Sequence, residues 1–239
     1  MLQSTYTLSE LALYLKESEK QVQKYAEQGI IQGRKVQGKW VFAAADVILL
    51  LEKMLNHPEN EKSVVSVEKV VNQNVSQEDR ENFSILDYLS EDSIIIPFSA
   101  KTTDSVIRKI TAFAADIGKL WVPEDMAAAI RKREEMMSTA MENGVALLHP
   151  RRPLPDIIAE TFLVLGIAPR GIPFGGGFNN LTDIFFMICC TNDKIHLRIL
   201  ARLGRILGQV AFLDQLRELE SPAEIIELIS VAESKIVSF

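Results

Sequence analysis

Three short, uninterrupted apolar runs constrain this chain most: Val145 to Leu148, Thr161 to Ala168 and Asp183 to Cys190. Runs of this length read as strands covered on both faces. Helical spacing surrounds them. Val106, Ile107, Ile110, Phe113, Ala114 and Ile117 fit one side of a helix, and Pro123-Glu124-Asp125 starts another that runs through Met126, Ile130 and Met137. Asn192-Asp193 precedes a long helix with Ile195, Ile199, Leu203 and Ile206 on its inner side. Ser221-Pro222-Ala223-Glu224 places a cap, a first-turn proline and a capping-box glutamate ahead of a final helix. Helices alternating with buried strands predict an α/β layered domain from about Ser84 onward.

The first fifty residues follow a different plan. Thr7-Leu8-Ser9-Glu10 and Ser18-Glu19-Lys20-Gln21 are capping boxes that open two short helices, the second stopped by Gly29. Ile30 to Val36 and Trp40-Val41-Phe42 read as two short strands joined at Gln37-Gly38, and Ala44 to Met54 returns to helical spacing. Residues 55–83 are rich in Glu, Asn, Ser, Gln and Lys and read as a polar linker. Its valines Val64, Val65, Val67, Val70 and Val71 could form one apolar helix face. The expected units are therefore 1–54, a linker at 55–83, and 84–239.

A length of 239 residues accommodates this division. A bilayer-spanning helix needs roughly 18 or more apolar residues, and no run reaches that, so membrane insertion is not expected. Met1 to Leu15 does not have the basic start and apolar core of a signal peptide, which places the expected protein in the cytoplasm. Cys189 and Cys190 are adjacent, unsuited to a mutual disulfide, and read as buried thiols. The net charge of −6 argues against general adhesion to nucleic acid. Between Ser18 and Trp40, however, Lys20, Lys24, Arg34, Lys35 and Lys39 outnumber Glu19 and Glu27.

Chemistry concentrates at two of the three histidines. His57 sits beside Pro58 in the polar stretch and reads as solvated. His149 ends the run Val145-Ala146-Leu147-Leu148, where a sheet presents reactive groups. His196 lies at the start of a helix, where backbone N–H groups favour anions.

The surrounding residues sharpen this. Arg133-Glu134-Glu135-Met136-Met137-Ser138-Thr139, followed by Asn143-Gly144-Val145-Ala146 and His149, resembles the active-site segment of the type-2 IIA proteins of the bacterial sugar phosphotransferase system, the mannitol, fructose and nitrogen-regulatory class. Asp193-Lys194-Ile195-His196-Leu197 matches the position of that family's second histidine. The resemblance implies a central mixed sheet flanked by helices. It also implies that His149 carries a phosphoryl group received from an HPr-like phosphocarrier, with Arg133 and His196 stabilising the moving charge. A neutral imidazole can attack phosphorus near neutral pH, and a guanidinium offers a fork of donors to phosphoryl oxygens. Leu148 and Pro150 stand where the family commonly has proline and glycine, and Pro150 removes one backbone donor beside the site. No cofactor or metal is expected. Gly175-Gly176-Gly177 lacks a following Lys-Ser/Thr and reads as a turn.

The N-terminal unit resembles the winged helix-turn-helix of MerR and excisionase proteins, through Thr7 to Ala12, Ser18 to Tyr25, Gly29-Ile30-Ile31 and Gly38 to Val41. That likeness implies double-stranded DNA as a partner. Lys20, Gln21, Lys24 and Tyr25 would face it from the second helix, and Arg34, Lys35 and Lys39 from the wing. The whole chain then reads as a regulator, dimeric on DNA half-sites, whose DNA binding follows the phosphorylation of its IIA domain. A second reading keeps the chain as a phosphocarrier serving a sugar permease component, with the N-terminal unit as an assembly module. A third is an unphosphorylated sensor of partners.

Overall fold

The computed structural model describes residues 4–55, 61–73, 75–175 and 181–236. His57, Gly176 and Gly177 lie outside the described residues. The N-terminal unit runs β1 (Thr5–Thr7), α1 (Leu8–Leu15), α2 (Glu19–Glu27), β2 (Arg34–Val36), β3 (Lys39–Ala43) and α3 (Ala44–Leu55). Thr7 and Glu10 form the expected reciprocal capping box on α1. The Ser18 side chain accepts from the Gln21 backbone N–H at the start of α2. β2 and β3 form an antiparallel hairpin through Gln37 and Gly38. Both have positive φ, 50° and 79°, the combination that matches the twist of a tight hairpin. β1 joins the other edge of β3, giving a three-stranded sheet in the order β1-β3-β2.

After α4 (Glu61–Val71) and α5 (Gln77–Glu81), the larger unit continues. Its elements are β4 (Ile94–Ile95), α6 (Thr103–Asp116), α7 (Pro123–Met136), β5 (Val145–Leu148), β6 (Phe162–Pro173), β7 (Leu181–Cys189), α8 (Asp193–Leu207), α9 (Val210–Glu218) and α10 (Pro222–Ser234). Pro222 begins α10 as expected, but the Ser221 side chain makes no capping bond. The sheet order is β4-β6-β7-β5. β4 and β6 are parallel, β6 and β7 antiparallel, β7 and β5 parallel. This is the α/β layered domain that the apolar runs predicted, with the mixed sheet that the family resemblance implies.

Side chains alternate across the sheet and feed two apolar cores. Ala146, Leu148, Phe185 and Met187 join Val106, Ile107, Ile110 and Ile130 of α6 and α7 on one face. Val145, Leu147, Phe186 and Ile188 join α8 and α10 on the other. Cys189 and Cys190 divide between the two cores and are free thiols.

The stretch expected to be a polar linker needs correction. Val64, Val67, Val70 and Val71 of α4 are buried in the second core together with Leu51 and Leu55 of α3 and Leu200, Leu203 and Leu207 of α8. The apolar helix face that the valines suggested is formed, and it docks because α8 and α3 offer it a matching surface. Charged groups close the seam. Glu68 of α4 accepts from Arg205 at 2.8 Å, and the Arg198 guanidinium donates to the Asp79 carbonyl at 2.7 Å. The helix face of Arg198, Arg202 and Arg205 is therefore covered by the chain's own segment.

Gly204 lets α8 approach this seam. A Cβ there would stand 3.4 Å from Val64 Cγ1 and 3.6 Å from Leu55 Cδ2. Gly204→Leu is expected to overpack the junction and cost about 1–3 kcal/mol, read as a lower Tm in thermal denaturation. Gly204→Ala, which only reaches contact distance, is expected to stay close to wild type.

Candidate functional site

The three residues singled out for chemistry meet in one place, and a fourth joins them from the N-terminal unit. His149 follows the last residue of β5 and is 2% exposed. Its Nδ1 lies 2.8 Å from the Leu147 carbonyl. A carbonyl only accepts, so this contact assigns the proton to Nδ1 and leaves Nε2 with its lone pair facing inward. His196 sits in the first turns of α8, which is capped by Asn192 accepting from the Ile195 N–H. The two imidazole rings are 4.9 Å apart between centroids.

Arg133 ends α7 and is fully buried. Its Nη1 donates to the Met137 carbonyl at 2.7 Å, closing the helix end. Its Nη2 donates to Glu52 Oε2 at 2.8 Å. The other oxygen of Glu52, Oε1, is 3.2 Å from Nε2 of His196 and 3.2 Å from Nε2 of His149. The contact to His196 is a hydrogen bond, whereas His149 Nε2 has no hydrogen-bond partner.

Glu52 belongs to α3 and is 3% exposed. One signal in the sequence marks it. Ile48, Leu51, Glu52 and Leu55 share a helix face at spacings of three and four, so a carboxylate interrupts a stripe that is otherwise apolar. A buried carboxylate requires partners. Those partners lie 81, 97 and 144 residues further along the chain, which local periodicity cannot reveal.

The supporting turn is also built from residues outside the expected set. Asn143 Nδ2 donates to the Leu207 carbonyl at 3.0 Å, tying the start of β5 to the end of α8. Gly144 has φ +85°, and a Cβ there would meet Arg217 Nη2 at 2.7 Å. Arg217 forks onto Asp183 at 2.7 and 3.0 Å and donates to the Asn143 carbonyl. Glu134, in the last turn of α7, accepts from both the backbone N–H and the hydroxyl of Thr139 just beyond the helix. These bonds explain why the R-E and N-G residue pairs accompany the histidine. They hold the helix end that bears Arg133 and the start of the strand whose far end presents His149.

Burial pushes the Glu52 carboxyl up, but the two imidazoles beside it and the His196 hydrogen bond outweigh it and hold the group well below 4.5. For His196 burial dominates and lowers the imidazole below 6.5, with the Glu52 hydrogen bond opposing. The signs agree. In each window between the folded value and the ordinary one, the unfolded chain binds the proton and the folded chain does not. Stability therefore falls as pH drops, first below 6.5 through His196 and then below 4.5 through Glu52. Thermal denaturation across pH 7 to 4 is expected to show this decline, and Glu52→Gln should flatten its acidic part.

The residues expected on DNA divide. Lys20, Lys24, Arg34, Lys35 and Lys39 are exposed, and Lys35 Nζ lies 5.1 Å above the Trp40 ring. Gln21 is half-buried. Tyr25 is turned inward, against the expectation. It packs on the core and lines a small cavity with Leu15, Leu51, Met54, Val67 and Val70, because docked α4 offers its ring an apolar seat.

Residues 87–231 match the family model described as phosphoenolpyruvate-dependent sugar phosphotransferase system, EIIA 2. The chain belongs to this family. Residues 5–54 match a helix-turn-helix domain. Among curated relatives, the mannitol-specific EIICBA component of Buchnera aphidicola is 27% identical over 152 residues, 64% of this chain and 22% of that protein. The fructose-specific EIIABC component of Bacillus subtilis is 26% identical over 148 residues, 61% of this chain and 23% of that one. The chain thus spans less than a quarter of these relatives. The mannitol IIA of Escherichia coli superposes with a TM-score of 0.53 at 22% identity, covering 59% of this chain and 98% of that one. The nitrogen regulatory IIA protein of Neisseria meningitidis gives 0.52 at 15%, covering 61% and 99%. These two likenesses show a shared IIA fold. IIA domains are phosphotransfer components, and no helix among the described residues is long and apolar enough to cross a membrane.

Proposed function

We propose that this chain is a phosphorylation-responsive DNA-binding regulator, with His149 as the phosphoryl acceptor and Glu52 as the group that reports its state. An HPr-like phosphohistidine protein is the donor. The lone pair of His149 Nε2 attacks phosphorus, the N–P bond of the donor breaks, and the donor's ring nitrogen keeps the bonding electrons. Arg133 and His196 stabilise the equatorial oxygens during transfer.

The observation that carries the reading is the position of Glu52. Its carboxylate satisfies Arg133 through one oxygen and His196 through the other, beside Nε2 of His149. A phosphoryl group on that nitrogen would need the same donors and would face the carboxylate with like charge. The two occupancies exclude each other. Phosphorylation therefore expels Glu52 and loosens α3, while the exposed cations of the N-terminal unit remain available to DNA in either state. The released unit changes its alignment in a dimer on two half-sites, and ~1.4 kcal/mol of coupling suffices for a tenfold change in affinity. Arg151 adds an exposed ion pair to Asp46 of α3, 3.3 Å apart, that the same event would break.

Two measurements test this. With labelled phosphoenolpyruvate and general carrier proteins, Glu52→Gln is expected to label several-fold faster than wild type, because the competing carboxylate is gone. Equal rates would remove Glu52 from the mechanism. The full-length protein is also expected to retain some genomic DNA, with affinity falling as salt rises. Selection at low salt that enriches no sequence would favour the second reading. In that reading the domain relays phosphate to a sugar permease component, as the names of the mannitol and fructose relatives suggest.

A further inference from the structure

We infer that Glu52, His149 and His196 form an inter-unit zinc site that locks the N-terminal unit onto the unphosphorylated phosphotransfer centre. Each of the three residues offers one ligand atom within 4.8 Å of the others, and all three are buried. Oε1 of Glu52 lies 3.2 Å from Nε2 of each histidine. A tetrahedral zinc with bonds of ~2.0 Å has ligand–ligand edges of ~3.3 Å, so both nitrogen–oxygen edges already stand at coordination spacing.

The hydrogen-bond inventory points the same way. His149 donates from Nδ1 to the Leu147 carbonyl, which leaves Nε2 as an acceptor. That acceptor faces a carboxylate oxygen and has no hydrogen-bond partner. No donor reaches that lone pair, and a cation seated between Nε2 and Oε1 would bond to both. The Nδ1 contact is the outer-shell bond that ligating histidines characteristically make. Arg133 supplies another by holding Oε2 at 2.8 Å, which leaves Oε1 to the metal. In the metal-free chain His196 Nε2 donates to Oε1, so zinc binding displaces that proton to solvent or to Nδ1. Two imidazoles and one carboxylate suit zinc, and one tetrahedral position remains for a non-protein ligand.

Zinc and a phosphoryl group would compete for the same nitrogen of His149. The site is nevertheless separable from the phosphotransfer reading, since labelling of the metal-free protein tests that reading alone. The full-length chain is stripped with a chelator, returned to buffered free zinc, and its metal content is measured. One zinc per chain is expected, with cobalt giving the intense visible absorption of tetrahedral coordination. Glu52→Gln, which preserves side-chain shape, and His196→Ala should each weaken zinc affinity by more than ~100-fold, beyond the range of outer-shell changes. Prior phosphorylation should block uptake. Absence of saturable uptake overturns the site, as does undiminished uptake in Glu52→Gln, which would place the metal on the histidines without the N-terminal unit. Circular dichroism of each variant shows that any loss of uptake occurs in folded protein.

Discussion

His149→Ala is expected to lose all acid-labile labelling by a phosphorylated carrier while keeping its fold. The residue supplies the lone pair that forms the N–P bond, and no other described side chain offers one in the same position. His196 is the nearest imidazole, but its Nε2 is hydrogen-bonded to Glu52 and it sits on α8 rather than at the strand end. Its role is to stabilise, and His196→Ala should slow labelling without abolishing it. The His149 ring also packs in a buried pocket, so alanine leaves a small void and a Tm a few degrees lower. Labelling that persists at the wild-type rate in His149→Ala would move the acceptor elsewhere and end the account.

Arg133→Ala is expected to be the most damaging substitution outside the acceptor itself. Loss of one preorganised charge-stabilising donor typically costs ~10²–10³ in rate. The structure adds a second effect. Arg133 is fully buried and pairs with Glu52, which is itself buried. Truncating one partner of such a pair leaves an uncompensated charge and typically costs about 3–5 kcal/mol. The stability loss should fall on the docking of α3, since Glu52 can regain water by leaving the pocket. The two effects separate experimentally. Arg133→Ala combined with Glu52→Ala should recover much of the stability but none of the transfer rate. Arg133→Lys should keep the charge while losing the fork that serves Glu52 and Met137 together. If Arg133→Ala alone keeps a wild-type rate per folded molecule, the guanidinium is structural.

What could be read from the sequence follows the range of the interactions. β5, β6 and β7 were legible because burial on both faces writes itself as an unbroken apolar run. α6, α7 and α8 were legible from spacing and from caps such as Asn192. The meeting of Arg133, His149 and His196 came from a residue pattern shared with a family, since no local signal joins α7, β5 and α8. The parts not foreseen depend on long-range contact. The valines of α4 suggest one apolar helix face within a polar stretch, but only α8 and α3 show what that face packs on. β1 is three residues long and exists because β3 offers an edge. α9 was passed over between two stronger helices. Glu52 was visible as a carboxylate on an apolar stripe, yet its meaning required knowing what that stripe would cover. Tyr25 was assigned outward by analogy with DNA-binding helices, and the docking of α4 turned it inward.

The central claim is that Glu52 and a phosphoryl group on His149 cannot share the pocket. Pulsed spin-label distances between exposed positions on α2 and α9 test it most directly, in full-length protein before and after phosphorylation. One narrow distance is expected in the unphosphorylated protein and a broad, longer distribution in the phosphorylated one, with His149→Ala staying narrow under the same treatment. An unchanged narrow distance in protein shown to be fully phosphorylated on His149 would contradict the account.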